Sequence, residues 1–405
     1  MKRNILIVSV RFPWPLDSGG DVGVYYMLDY IRKYVNITFV TFYNRQEGNK
    51  NLVELEKKFP EIHFMLYNWR KSPMRKDDFP FKLIGKIGEH FQYPNGKDND
   101  SALLTLLGIT PGFIKFINDI IKERKIEIVQ VEFLGLHRIV CALPDNVKKI
   151  FVHHELGWVV RAQKFEKDIY SNFLRKYLDA EEIAILNQYD TVIALTEIDK
   201  QKMRAAGVKS NIIVSTSTLA VAGNILPKVQ HKYDGRLTFI GMGDHIPNYL
   251  GIKWFVENVF QLVKEKYPNT KLEVIGIWNE NKIQDILNID KEVSFKGFVE
   301  DLTDILHNSI FVVPINVGSG MRMKILEAAN HSVPFVSTVV GAEGLVFKDE
   351  EDCFIKDSPQ DMANAIIRLI EDDDLYQKFS AKVHEVFAEN YTQEAAGKKR
   401  LTAYE

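Results

Sequence analysis

Short runs of apolar, β-branched residues alternate along this chain with longer segments in which apolar positions recur every three to four residues. The runs 4–10 (NILIVSV), 37–43 (ITFVTFY), 126–133 (IEIVQVEF), 149–153 and 191–195 (TVIAL) predict strands. Helical periodicity fills 21–33, 111–125 and 164–188 between them. The strand runs show little polar alternation, which implies a parallel sheet buried on both faces. The same grammar restarts near residue 236, with strands at 237–241, 271–276, 293–297, 310–315 and 334–340 and helices at 250–266 and 323–329. Segment 214–232 is weakly periodic and holds Gly223 and Pro227, so it reads as a linker. The predicted fold class is α/β, with two Rossmann-like doubly wound domains facing a cleft. The expected domains are 1–222 and 223–386, with 387–405 as a terminal helix crossing back to the first.

Composition narrows this picture. Hydrophobic residues make up 46% of 405 and charged residues 26%, which excludes a disordered or fibrous chain. Lys plus Arg is 52 and Asp plus Glu is 54, a net charge of −2, so bulk nucleic-acid binding is not expected. Two cysteines, Cys141 and Cys353, make no disulfide framework and read as reduced core thiols. The N-terminal apolar run is too short for a signal peptide, with Arg11 and Asp17 close behind, and no stretch approaches the ~20 apolar residues of a membrane span. A cytoplasmic protein is expected, soluble or peripherally attached at the inner face of the membrane. Segment 68–97 mixes Arg70, Lys71, Arg75, Lys76, Lys82 and Lys86 with apolar residues. It is either a solvated connection or a surface for an anionic acceptor or membrane headgroups.

Candidate chemistry belongs at the carboxyl ends of strands. After the first strand, Gly19 and Gly20 let backbone approach a ligand ahead of a helix N-terminus. After the strand ending at Ile315 come Gly318, Ser319 and Gly320, then Arg322 and Lys324 in the expected first turn of a helix. Basic residues there oppose the helix dipole, whereas a bound diphosphate would reverse that preference. Glu327, one turn on, can accept from ribose hydroxyls or pair with Lys324. His153 and His154 end another strand.

The segments VPINVGSGMRMKILEAANHSVPFVSTVVGAEGL (313–345) and FIGMGDHIPNYLGIKWFVENVF (239–260) resemble the nucleotide-sugar-binding core of glycosyltransferase family 4, of GT-B fold. RFPWPLDSGGDVGVYYML resembles that family's acceptor-side Gly-Gly loop. The resemblance implies retaining, metal-independent transfer from a nucleoside-diphosphate sugar to a glycan or lipid-linked acceptor, with no cofactor beyond the donor substrate. It places the acceptor on the first domain and the donor on the second. Glu327 matches the second Glu of the family's Glu-x7-Glu motif, which binds donor ribose, and the first falls on Ser319. The loop opening at Gly241 (GMGDHIPNYLG) lacks the usual Arg and Lys, so the diphosphate charge is expected to fall to Arg322 and Lys324. The resemblance assigns His154, or alternatively His153, to the transferred sugar. It assigns Phe298 and Val299 to the nucleobase loop and Gly341–Gly344 to a turn beside the donor. Two Asp-x-Asp look-alikes, at 98–100 and 372–374, are not expected to bind metal. The alternatives are a nucleotide-sugar epimerase of the same fold and a non-catalytic sugar-nucleotide-binding subunit, kept open by Ser319.

Overall fold

The computed structural model of the protein describes residues 2–16, 18–42, 48–90, 109–164, 168–219, 232–318 and 320–405. These form two compact units, one of residues 1–218 with 396–405, the other of 219–395. The first holds a seven-stranded parallel sheet of β1 (Asn4–Ser9), β2 (Asn36–Phe42), β3 (His63–Tyr67), β4 (Ile128–Glu132), β5 (Lys148–His153), β6 (Thr191–Ala194) and β7 (Asn211–Val214). Its order is β3-β2-β1-β4-β5-β6-β7. The second holds β8 (Arg236–Ile240), β9 (Lys271–Ile275), β10 (Ser294–Gly297), β11 (Ile310–Val313), β12 (Phe335–Ser337) and β13 (Phe354–Ile355), in the order β10-β9-β8-β11-β12-β13. Every strand pair is parallel.

The central strands are apolar on both faces because helices cover both. Ile5, Leu6, Ile7 and Val8 of β1 are all buried, as are Ile310 to Val313 of β11. Parallel strands with crossover helices place every strand-to-helix loop of a unit at one end of its sheet. Strand order reverses between β1 and β4 in the first unit and between β8 and β11 in the second. At such a reversal neighbouring crossovers leave in opposite directions, and a crevice opens at the carboxyl ends of the strands.

Several expectations need correction. β3, β7 and β13 are strands that the pattern did not predict, and β7 lies at the start of the expected linker. The helix expected over 164–188 is Ile169–Leu186, capped by Asp168, whose Oδ1 accepts from the Tyr170 and Ser171 amides, and a separate helix that the pattern did not predict, Gly157–Lys164, precedes it. Residues 387–405 are not one helix. Helix Asp373–Asn390 ends there and Gln393–Thr402 follows, with Leu219 and Thr392 bridged beside each other. Cys353 is buried, but Cys141 is exposed and is not a core thiol.

Candidate functional site

The β8/β11 crevice of the second unit is built around Lys324. β8 runs into Gly241, whose N–H donates to Ile275 O at 2.8 Å and whose carbonyl accepts from Trp278 Nε1 at 2.7 Å. The tightness is steric. A Cβ on Gly241 would sit 2.5 Å from Asn248 Nδ2 and 2.9 Å from Lys324 Nζ. Helix Ile246–Phe255 carries Asn248, whose amide donates to Met242 O at 2.9 Å. That bond turns Asn248 Oδ1 toward Lys324 Nζ, 2.7 Å away. The ammonium also lies 4.0 Å from the centre of the Phe239 ring on β8. Lys324 as a whole keeps some exposed surface, but its ammonium end is enclosed by protein. Among the described residues no carboxylate pairs with it. Burial first, and the Arg322 charge second, push its pKa well below the ordinary lysine range.

β11 reaches the same place from the other side. Gly318 and Gly320 adopt φ of 115° and 84°, left-handed values that suit glycine. Helix Met323–Asn330 starts where the periodicity places it, so Arg322 is the residue before the helix and only Lys324 stands in its first turn. Arg322 Nη1 donates to Gly320 O at 2.6 Å. Ser319 lies outside the described residues. Glu327 pairs with His331 (3.5 Å) rather than with Lys324. Apolar side chains stand exposed at the loops that follow the strands, among them Ile277 (64%) after β9 and Phe298 (66%) after β10, while Val299 is half-buried. Asp301 lies just ahead of the next short helix and accepts from Thr303 N, the helix's first residue. Asp372 is the N-cap of helix Asp373–Asn390 and accepts from Leu375 N, which accounts for one acidic triplet. The other, 98–100, lies outside the described residues.

In the first unit, the β1/β4 crevice gathers the Gly-Gly segment and a histidine. Gly19 and Gly20 are the first residues of helix Gly19–Ile31, not a loop before it, and Ser18 caps that helix through Asp21 N. A Cβ on Gly20 would approach the Phe133 ring to 3.2 Å. Phe133 follows β4 with φ of 67°, an unfavourable conformation for an aromatic residue. Its ring stacks on the His154 imidazole at 4.0 Å with an interplanar angle of 17°. His154 Nε2 is 2.5 Å from Glu132 Oε2. The neighbouring His153 is buried and bonds Glu182 at 2.9 Å, and Glu182 also accepts from Arg161 at 2.6 Å. Burial would raise the pKa of Glu182, but His153 and Arg161 outweigh it and hold it low. His153 is thus committed to an internal ion-pair cluster, whereas His154 lines a hollow with Gly23 and Ser217.

Sequence reasoning had not singled out Phe239, Asn248, Trp278, Phe133 or Glu132. Glu132 is a carboxylate inside an apolar strand run, and that was the available signal. Asn248 and Trp278 carried none.

Residues 234–372 match the model of the family described as Glycosyl transferases group 1. An uncharacterized glycosyltransferase of Methanocaldococcus jannaschii is 31% identical over 90 residues, 21% of this chain and 22% of that protein. The chain therefore aligns with under a quarter of that relative's length. Among solved structures, a mutant of S. aureus TarM, in complex with Fondaparinux, alpha-GlcNAc-glycerol and UDP, superposes with a TM-score of 0.69 at 15% identity, over 99% of both chains. Sucrose-phosphate synthase from Thermosynechococcus elongatus gives 0.71 at 16% identity, over 100% of this chain and 98% of that one.

Proposed function

We propose, for a chain of GT-B fold whose residues 234–372 form a Glycosyl transferases group 1 domain, that it moves a sugar from a nucleoside diphosphate to a hydroxyl of a glycan or lipid-linked acceptor, with retention and without a metal. The observation that carries this reading is Lys324. An ammonium enclosed with only an amide oxygen and an aromatic face for company is costly to keep. A diphosphate between Gly241 and the Met323–Asn330 helix would supply the missing negative charge, helped by Arg322 and by helix amides.

In the reaction, the bond from the anomeric carbon to the diphosphate oxygen breaks, and a bond to the acceptor oxygen forms on the same face. The acceptor proton leaves on the diphosphate. Arg322 and Lys324 stabilise the charge that develops on that leaving group. Ile277 and Phe298 offer an apolar rim for the base, Glu327 meets the ribose, and His154 holds a hydroxyl of the transferred sugar. UDP in the TarM complex makes uracil the first base to try. A membrane-inner-face acceptor is supported by helix Arg75–His90, anchored by buried Asp78, which accepts from Tyr67 and the Gly112 amide. That helix shows Phe79 and Leu83 to solvent beside exposed Arg70, Lys71, Arg75 and Lys76.

The test is a thermal-shift series with UDP, GDP and ADP on wild type, Arg322→Ala and Lys324→Ala. One nucleotide is expected to raise the Tm of wild type in a dose-dependent way and to lose that effect in both variants. No shift with any of the three would sink the reading.

A further inference from the structure

The hollow of the first unit is lined by Gly23, Gln130, Glu132, His154, Ser217 and Arg400, and four of these are polar side chains on a directional chain of hydrogen bonds or beside it. The chain starts at Tyr404, near the end of the sequence. Its hydroxyl donates to Gln130 Oε1 at 2.7 Å, across 274 residues of sequence. That bond orients the Gln130 amide, so its Nε2 donates to Glu132 Oε1 at 2.6 Å. Glu132 Oε2 then faces His154 Nε2. Arg400 lies 4.0 Å from Glu132 Oε1 and is itself held by Ser215 Oγ at 3.2 Å. Gln130, Glu132, Arg400 and Tyr404 are all at least 97% buried. Burying so many polar groups is unfavourable unless each is satisfied, and here the order of donors and acceptors is consistent from end to end.

We infer that Glu132 is the positioning residue of His154, and that segment 396–405 sets its orientation through Tyr404, Gln130 and Arg400. The inference rests on the reading of His154 as the sugar-contacting histidine. A carboxylate can only accept, so Nε2 of His154 must carry a proton. Nδ1 is then the nitrogen left for a substrate hydroxyl. The carboxylate thus selects the tautomer and locks the ring against rotation while Phe133 clamps its face.

Glu132→Gln is the informative substitution because it keeps the shape. With Gln130 oriented by Tyr404, the new amide must offer its oxygen to Gln130 and its NH2 to His154. That forces the proton of His154 onto Nδ1. In wild type, nitrogen NMR of His154 is expected to report the proton on Nε2, and in Glu132→Gln on Nδ1. The variant should lose about tenfold or more in kcat at unchanged donor KM. The same substitution on a His154→Ala background should cost nothing further. An unaltered kcat in the folded variant overturns the inference, as do losses that multiply in the double variant. If Glu132→Gln does not fold, Tyr404→Phe removes only the hydroxyl at the far end. A severalfold loss that vanishes on the His154→Ala background supports the inference, and unchanged kcat overturns it. Full turnover by His154→Ala overturns the histidine's role together with this inference. The nucleotide thermal shift reports on the donor site independently, so the two failures remain distinguishable.

Discussion

In the proposed reading, Lys324 is a diphosphate ligand and a stability liability at once. Its pKa is depressed by burial and by Arg322, so the folded state disfavours the charged form. For a lysine depressed in this way, the cost to folding is full below the folded pKa. It disappears as pH rises toward the unfolded value of about 10.4. Lys324→Met should therefore be at least as stable as wild type near neutral pH, because a buried charge without an opposite charge is costly to keep. That advantage should shrink in alkaline buffer, and urea titrations at two pH values would read it. The same variant should lose the nucleotide-induced rise in Tm. Diphosphate binding should also pull the lysine back to its charged form. Calorimetry in two alkaline buffers of different ionisation enthalpy should then show proton uptake, and equal apparent enthalpies would contradict the placement of the diphosphate at Lys324. Arg322 and Lys324 were visible in the sequence because cations at a helix start break a rule. Asn248, which aims its oxygen at Lys324 across 76 residues of sequence, obeys every local rule and was invisible.

The elements that escaped the sequence pattern share a position. β3, β7 and β13 are all edge strands, while the double-faced apolar runs that were read correctly lie inside the sheets. An edge strand has a neighbour on one side only. His63–Tyr67 accordingly mixes exposed, half-buried and buried residues and contains His and Met rather than β-branched residues. Asn211–Val214 has only one fully buried residue, and Phe354–Ile355 is two residues long, too short to show a periodicity. β10, the remaining edge, is the edge strand that the pattern did predict, at 293–297. Element packing also carries a prediction. The helix Ile246–Phe255 crosses the exit of β11 so closely that a Cβ on Gly251 would lie 2.5 Å from the Pro314 carbonyl oxygen. Backbone cannot step aside as a side-chain tip can, so Gly251→Ala should destabilise the second unit by about 1–3 kcal/mol. It should also weaken nucleotide binding, since the same helix presents Asn248. Denaturant unfolding with and without nucleotide would check both effects, and a variant of wild-type stability would show that the helix can shift freely.

At the scale of the whole molecule, a net charge of −2 conceals local basic sites at Arg322 and Lys324 and around Arg75, and sequence order conceals which residues belong together. The first unit is closed by the last residues of the chain. Ala396, Arg400, Ala403 and Tyr404 are buried in it, and Gly397 lies so close to Tyr30 that a Cβ would collide with the ring. Gly397→Val should therefore behave as a mutation of the N-terminal unit although it is distant from that unit in sequence. Its side chain would displace Tyr30 or lift the terminal helix. Either response loosens the buried polar chain from Tyr404 to Glu132, where each unsatisfied group costs about 1–3 kcal/mol. The second unit, 219–395, contains neither Gly397 nor Tyr30 and should unfold as before. Calorimetry in saturating nucleotide would separate the two, because the ligand raises only the transition of the unit that binds it. The expected result is a lowered transition for the first unit, an unchanged nucleotide-sensitive transition for the second, and a fall in kcat without a change in donor affinity. A shift of the nucleotide-sensitive transition instead would mean that the terminal segment supports the donor unit, and that division of the chain would have to be redrawn.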